Sequence, residues 1–221
     1  MVGSTQRPPQ DIKLRQPVQM PKSGRSDRAI ATRVGVLALQ GAFVEHVGML
    51  RQVGAEAVLV RLPRDLEGLD ALILPGGEST TIGKLMDEWG LRGAICHAAQ
   101  GGMPIYGTCA GMILMARDVI GHSQPILSLM DISVRRNAFG RQVDSFETDL
   151  QISVLSGQPF HAVFIRAPLI ERVGEKVEVL ASLPNGTITA AREGNLLVTS
   201  FHPELTNDPR LHKYFLSMAG R

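Results

Sequence analysis

Only two cysteines, Cys96 and Cys109, occur in the 221 residues. Two thiols fall far short of a disulfide framework and fit a reducing compartment, where a cysteine is free or catalytic. No apolar run reaches bilayer-spanning length. A charged-then-apolar leader is also lacking, so the expectation is a soluble, cytoplasmic protein with no membrane contact. Neither G-x-x-x-x-G-K-[ST] nor G-x-G-x-x-G is found, which speaks against a nucleotide-phosphate cradle. The histidines form no ligand cluster: His46, His97, His122, His161 and His212 read as structural or surface residues, and no metal or other cofactor is expected. Net charge is small, +2, and uneven. Residues 1–33 carry seven Lys/Arg and two Asp, net +5, leaving −3 for the remainder. A mildly acidic body does not suit nucleic acid.

What is present begins with a change of texture. Residues 1–33 hold Pro8, Pro9, Pro17 and Pro21 among polar and basic residues, the composition of a disordered extension, with Met20 as an alternative start. A targeting presequence or a docking arm is the other reading of this tail. From Val34 to residue 221 the chain reads as one α/β domain with a 44% hydrophobic composition behind it. Val34–Leu39, Ala57–Val60, Asp70–Leu74 and Pro104–Gly107 are short, nearly all-apolar runs, expected as strands covered on both faces. Helical spacing separates them: Phe43, Val47 and Leu50 up to Gly54, then Ile82, Leu85, Met86 and Trp89 behind a cap at Ser79 or Thr80, then Met112–Ala116. The alternation predicts a mainly parallel sheet with helices on both faces. The second half reads as strands near Ser133–Arg136, Asp149–Val154, Ala162–Ile165, Val177–Ala181, Ile188–Arg192 and Leu196–Ser200, closed by a helix over Pro209–Met218.

Chemistry concentrates at three strand ends. Gly107-Thr108-Cys109-Ala110-Gly111 places a cysteine between a buried strand and a helix, with glycine two before and two after, as a sharp nucleophile elbow requires. The helix start behind it favours thiolate. Cys96, in an expected helix without such glycines, reads as a buried structural thiol. Phe201-His202-Pro203-Glu204 follows the strand ending at Ser200. The segment reads as extended, where residues two apart point the same way, so His202 and Glu204 sit side by side, the carboxylate orienting the imidazole and the imidazole facing the thiol. Alone, His-Pro-Glu is more often a surface turn. Pro75-Gly76-Gly77-Glu78-Ser79 ends another strand; its glycines let backbone N–H groups approach a substrate, and Gly77 with Ala110 can form an oxyanion hole.

With these pieces in place the chain resembles the class I (triad) glutamine amidotransferases. More closely, it is similar to the PdxT-type glutaminase subunits of pyridoxal 5′-phosphate synthase. The resemblance rests on VGVLALQGAFVEH (34–46), LILPGGESTT (72–81), YGTCAGMILMA (106–116), RRNAFGRQVDSFE (135–147), VFIRAP (163–168) and SFHPELT (200–206). It implies a flavodoxin-like three-layer α/β/α domain with a mixed, mainly parallel sheet. It also implies Cys109, His202 and Glu204 as the triad, and Gly77, Glu78, Ser79, Arg136, Ile165 and Arg166 around L-glutamine. A planar guanidinium suits the substrate's α-carboxylate, although surface ion pairing is the blander role for Arg136 and Arg166. By the same resemblance Gln40 and Gly41 form a docking edge for a synthase subunit. That subunit joins the ammonia to ribose 5-phosphate and glyceraldehyde 3-phosphate, and its contact is thought to complete the oxyanion hole. The N-terminal tail departs from the family pattern.

Other readings keep parts of this picture. The acceptor can be another synthase, for example in the imidazole glycerol phosphate pathway. The scaffold can serve a non-catalytic regulator, in which case Cys109→Ala leaves the biological role intact. The elbow can belong to a cysteine or esterase-type hydrolase, which trapping a thioester from labelled glutamine distinguishes.

Overall fold

The computed structural model describes residues 31–136 and 145–220. Nearly all of the N-terminal tail, and residues 137–144 of the arginine-rich motif, lie outside the described residues. In chain order the elements are β1 (Arg33–Leu37), α1 (Phe43–Gln52), β2 (Glu56–Val60), β3 (Ala71–Leu74), α2 (Ser79–Glu88), α3 (Leu91–Gln100), β4 (Ile105–Thr108), α4 (Ala110–Met115) and β5 (Ala116–Val119). They continue with β6 (Met130–Arg135), β7 (Ser145–Leu150), β8 (Phe160–Ile165), β9 (Leu169–Val173), β10 (Glu178–Ser182), β11 (Ile188–Glu193), β12 (Leu196–Thr199) and α5 (Arg210–Ala219).

A curled sheet of ten strands runs β2-β1-β3-β4-β12-β11-β9-β6-β5, with β10 beside β11. Its first five strands are parallel throughout. From β12 outward the pairing turns antiparallel until the parallel β5–β6 edge. β7 and β8 form a separate antiparallel ribbon.

The apolar runs are strands because both sheet faces are covered. In β3, Leu72 and Leu74 face a cluster that includes Ile82 and Met86 of α2, Leu91 and Ile95 of α3, and Met112 and Met115 of α4. Ala71 and Ile73 face the opposite cluster, with Val47 and Leu50 of α1 and Leu211 and Phe215 of α5. A residue of either parity is therefore buried, each large side chain contributing about 1.5–3 kcal/mol, and no polar alternation is needed. This is the expected three-layer α/β/α arrangement.

Several boundaries differ from the sequence expectation. The strand expected at Asp149–Val154 lies earlier, at Ser145–Leu150, and the chain turns after it. Its outward positions are polar, so the apolar run beyond it drew the assignment off by four residues. β5 and β9 were not anticipated: Ala-Arg-Asp-Val and Leu-Ile-Glu-Arg-Val carry charges in short segments, and pairing with β6 from either side makes them strands. The cap of α2 is Glu78, not Ser79 or Thr80; its carboxylate accepts the N–H groups of Thr80 and Thr81. Trp89, expected on the buried face of that helix, is 45% exposed because it sits at the helix end, beyond the last turn that packs on the sheet. The expected helix Met112–Ala116 begins two residues earlier, immediately after the elbow.

Candidate active site

The register of the parallel strands brings the three motifs together. β4 lies between β3 and β12, with Leu74 opposite Gly107 and Thr199 opposite Thr108. The three strands stop at the same height, so the loops that follow them, at Pro75–Gly77, Cys109 and Ser200–Glu204, emerge side by side at the carboxyl edge where ligands of such sheets bind.

Cys109 occupies the step from β4 to α4 with φ 48° and ψ −102°, a conformation rare for a residue with a side chain and costing on the order of 1–3 kcal/mol. Its own N–H is anchored on Thr199 O at 2.8 Å. The flanking glycines are demanded by close approach. A Cβ on Gly107 would meet the Gly111 carbonyl carbon at 2.6 Å, and one on Gly111 would meet Leu74 O at 1.9 Å. The elbow fits only because those positions have no side chain. The thiol is 7% exposed as a residue and lies 4.0 Å from the Ile165 carbonyl oxygen.

His202 and Glu204 do not lie on an extended segment as expected. Pro203–Leu205 is a 3₁₀ turn with Pro203 at its first position, where the fixed φ of proline suits a helical start. The turn rather than strand alternation brings the side chains together, with Glu204 Oε1 2.7 Å from His202 Nδ1. Both residues are buried. Desolvation opposes the charge on His202, but its interactions with Cys109 and Glu204 outweigh this and raise its pKa to about 10. Burial likewise pushes the Glu204 carboxyl up, and the neighbouring His46 and His202 more than offset it, leaving the carboxylate favoured. Cys109 and Glu204 thus both bear on the imidazole, while the hydrogen bond of the thiol runs to the Ile165 carbonyl. Cys109, His202 and Glu204 are therefore neighbours at one strand edge, with the imidazole and carboxylate in direct contact.

Around these residues the structure gathers most of the remaining expected ones. Gly76 packs on the His202 ring. Ala110 is the first residue of α4, so its N–H is one of those a helix leaves without an internal acceptor. Residues 40–42 lie directly on the glycine loop: Gln40 Oε1 accepts from Glu78 N at 2.7 Å, and Ala42 N donates to Gly76 O at 3.0 Å. Gly41, at φ 101°, has Gly76 O where a Cβ would be. The proposed docking edge thus touches the proposed oxyanion loop.

Arg136 reaches the same end of the sheet. Its guanidinium donates to Glu78 Oε1 and Thr80 Oγ1, each at 3.0 Å, and to Gln124 Oε1 at 2.7 Å. Desolvation raises the Glu78 pKa, but the Thr81 and Thr80 hydrogen bonds prevail and hold it at about 2, so it stays ionised against Arg136. Ser79 is buried and hydrogen-bonded to Gln124. Ile165 and Arg166 are exposed at the end of β8, Arg166 with φ 41°. Gln124 was missed by sequence reasoning: a lone glutamine in an irregular segment carries no pattern. His46 and His212 were expected to be structural or surface residues; both are fully buried, His46 3.5 Å from Glu204 Oε2 and 3.0 Å from His212. Among the described residues no group of three His, Cys, Asp or Glu is placed to hold a metal ion, and no helix is long and apolar enough to cross a membrane.

Comparison with known proteins identifies the fold and the family. A crystal structure described as a glutamine amidotransferase superposes with a TM-score of 0.81 at 53% identity, covering 85% of this chain and 99% of that one. The structure of PurLQS from Thermotoga maritima shares the fold at a TM-score of 0.67 and 16% identity, over 86% and 100% of the two chains. The molecule is thus built as an α/β glutamine amidotransferase. The profile of the SNO glutamine amidotransferase family matches residues 36–220, and the chain belongs to that family. It is 58% identical over 188 residues to the pyridoxal 5′-phosphate synthase subunit PdxT of Moorella thermoacetica, covering 85% of this chain and 100% of that protein. It is 61% identical over 188 residues to the protein of the same name from Herpetosiphon aurantiacus, covering 84% and 99%.

Proposed function

We propose that this chain is the glutaminase subunit of a pyridoxal 5′-phosphate synthase, releasing ammonia from L-glutamine for a separate synthase subunit. The observation that carries the chemistry is the row of Cys109, His202 and Glu204 at one strand edge, with the 2.7 Å imidazole–carboxylate contact orienting the ring. The names of the relatives support the choice of acceptor.

In this reading the proton of Cys109 passes to His202, and the thiolate adds to the side-chain carbonyl carbon of glutamine. Negative charge collects on the carbonyl oxygen, where the N–H groups of Gly77 and Ala110 receive it. Imidazolium is favoured here up to about pH 10, so His202 is equipped to protonate the departing nitrogen. Ammonia leaves and a glutamyl thioester remains on Cys109. Water, deprotonated by the same imidazole, attacks the thioester and frees glutamate and the thiol. Glu204 keeps the ring aligned and stabilises its cationic form. Glu78, Ser79, Ile165, Arg166 and Arg136 surround the amino acid portion of the substrate, Arg136 exchanging its internal partners for the α-carboxylate.

Ammonia set free in water at neutral pH is protonated and no longer nucleophilic. A synthase docked over the site would capture it first. The contact of Gln40, Gly41 and Ala42 with the glycine loop supports a partner that acts through this edge on the oxyanion site. The body from residue 34 onward is read as one domain, working in the cytoplasm, with neither metal nor cofactor in the reaction.

The test is ammonia release from glutamine by the full chain, with and without the synthase partner, for wild type and Cys109→Ala. Weak activity alone, a clear rise with the synthase and none from Cys109→Ala are expected. Full activity without partner would remove the coupling, and activity in Cys109→Ala would remove the mechanism.

A further inference from the structure

The Cys-His-Glu row does not end at Glu204. Glu204 Oε1 is occupied by His202, whereas its buried Oε2 has no hydrogen-bond partner among the described residues. Nε2 of His46, on α1, lies 3.5 Å from that oxygen. That same nitrogen is 3.1 Å from Thr108 Oγ1, the residue immediately before the nucleophile. The opposite nitrogen, His46 Nδ1, is 3.0 Å from His212 Nε2 on α5. Both histidines are 0% exposed. A buried carboxylate oxygen left without a donor is destabilising, so the group that faces it matters.

Proton counting selects one arrangement. If Nε2 of His46 carries its proton, that N–H has Thr108 Oγ1 at 3.1 Å and Glu204 Oε2 at 3.5 Å as the acceptors around it, and Nδ1 is left as an acceptor. His212 then donates from Nε2 to that acceptor, and its Nδ1, which has no partner, carries only a lone pair. The reverse tautomer presents a lone pair of His46 to the carboxylate. It also strands a buried N–H on His212 Nδ1. The first arrangement leaves neither fault.

We propose that His46 is a positioning residue for the triad: its Nε2–H holds the second oxygen of Glu204, and His212 fixes the tautomer that makes this possible. This rests on the reading of Cys109, His202 and Glu204 as the catalytic row. Glu204 is then gripped from both sides, by His202 from its own turn and by His46 from α1. Its Oε1 cannot swing away from His202 Nδ1 without leaving His46. The titratable groups facing this cluster are His202, Glu204, His212 and Tyr106, with Glu45 the residue before His46 on α1. Burial keeps both His46 and His212 on the neutral side of the ordinary histidine range, as the tautomer chain requires. α1 also follows directly on Gln40 and Gly41, so the helix that begins at the docking edge carries the group that steadies the triad acid.

The test compares His46→Gln with His46→Leu in the full chain assayed with its synthase partner, using Cys109→Ala as a separate control. Glutamine places its amide nitrogen near the position of histidine Nε2 and keeps a donor toward Glu204; leucine fills the space without one. Leu should lower kcat by roughly tenfold to a hundredfold with KM little changed, as for outer partners that orient a working histidine, and Gln should recover most of the loss. The acid limb of the kcat–pH profile should move upward in the Leu variant, because the carboxylate loses its donor. Equal losses in both variants, or wild-type kcat in the Leu variant, overturn the proposal. If the Leu variant does not fold, ¹⁵N-histidine NMR of the wild type decides. A neutral Nε2–H tautomer at His46 from pH 6 to 8 supports the assignment, and an Nδ1–H tautomer or a cation refutes it. Activity in Cys109→Ala would instead defeat the triad reading on which this rests.

Discussion

Gly76 lies against the imidazole of His202, so that a Cβ on the glycine would stand 2.3 Å from ring atom Cε1 and 3.0 Å from Nδ1. In the proposed mechanism the loop that supplies the oxyanion site is therefore also the wall that sets the base. Gly76→Ala has to push the ring away, either from Glu204 or from Cys109. The expected result is a fall in kcat of about a hundredfold, the usual order for a misplacement of one ångström at a reacting group. Steady-state kinetics beside a thermal melt will check it, the melt moving little because the ring is at the rim of the core.

Gly111→Ala should behave in the opposite way. Its Cβ would fall 1.9 Å from Leu74 O, a backbone atom of a central strand that cannot step aside. Overpacking of this kind costs about 1–3 kcal/mol or more. Denaturant unfolding should show a clear loss of stability, and the purified fraction should lose activity in proportion to the fold.

Arg136 offers a separation of binding from chemistry. It is held by Glu78, Thr80 and Gln124 beside the site, not in the row that handles protons. Arg136→Ala is expected to raise KM for glutamine about tenfold or more with kcat largely kept, the signature of lost ground-state binding. Arg136→Lys should recover only part, since an ammonium lacks the planar fork.

Stability should depend on pH in two windows. His202 has its pKa raised to about 10 in the fold, so its contribution is complete below about 6.5 and is lost as pH climbs from there toward 10. His212 has its pKa lowered to about 3 by burial first and the neighbouring His46 second. The unfolded chain takes up its proton near 6.5 and the folded chain does not, so stability falls as pH drops from about 6.5 toward 3, with a slope of about 1.4 kcal/mol per pH unit for each such histidine. Urea midpoints measured from pH 4 to 10 should peak near 6–7. His212→Phe should flatten the acid side.

The fold was legible where burial was two-sided. Val34–Leu37, Ala71–Leu74 and Leu196–Thr199 announce themselves by unbroken apolar sequence, and their order with the helices implies the parallel half of the sheet. β5 and β9 were hidden because charged residues such as Arg117, Asp118, Glu171 and Arg172 are strand residues only through pairing with β6. At the site, Cys109 was visible because glycines at 107 and 111 are a steric necessity that leaves a pattern. The reason for expecting His202 and Glu204 together was wrong in detail, since a 3₁₀ turn at Pro203 replaces the extended segment. His46 and Gln124 were not legible as site residues. Each gains its meaning from partners at Glu204, His212, Thr80 and Arg136 that only the folded chain brings near.

The proposed mechanism stands most directly on Cys109 being the residue that bonds to the substrate. An analogue of glutamine with an electrophilic carbon in place of the side-chain amide, followed by peptide mass mapping, tests this in one step. The mechanism predicts a single covalent label on Cys109, blocked by excess glutamine and absent from His202→Asn over the same interval. A label on Cys96, or undiminished glutamine hydrolysis once Cys109 is fully labelled, would contradict it.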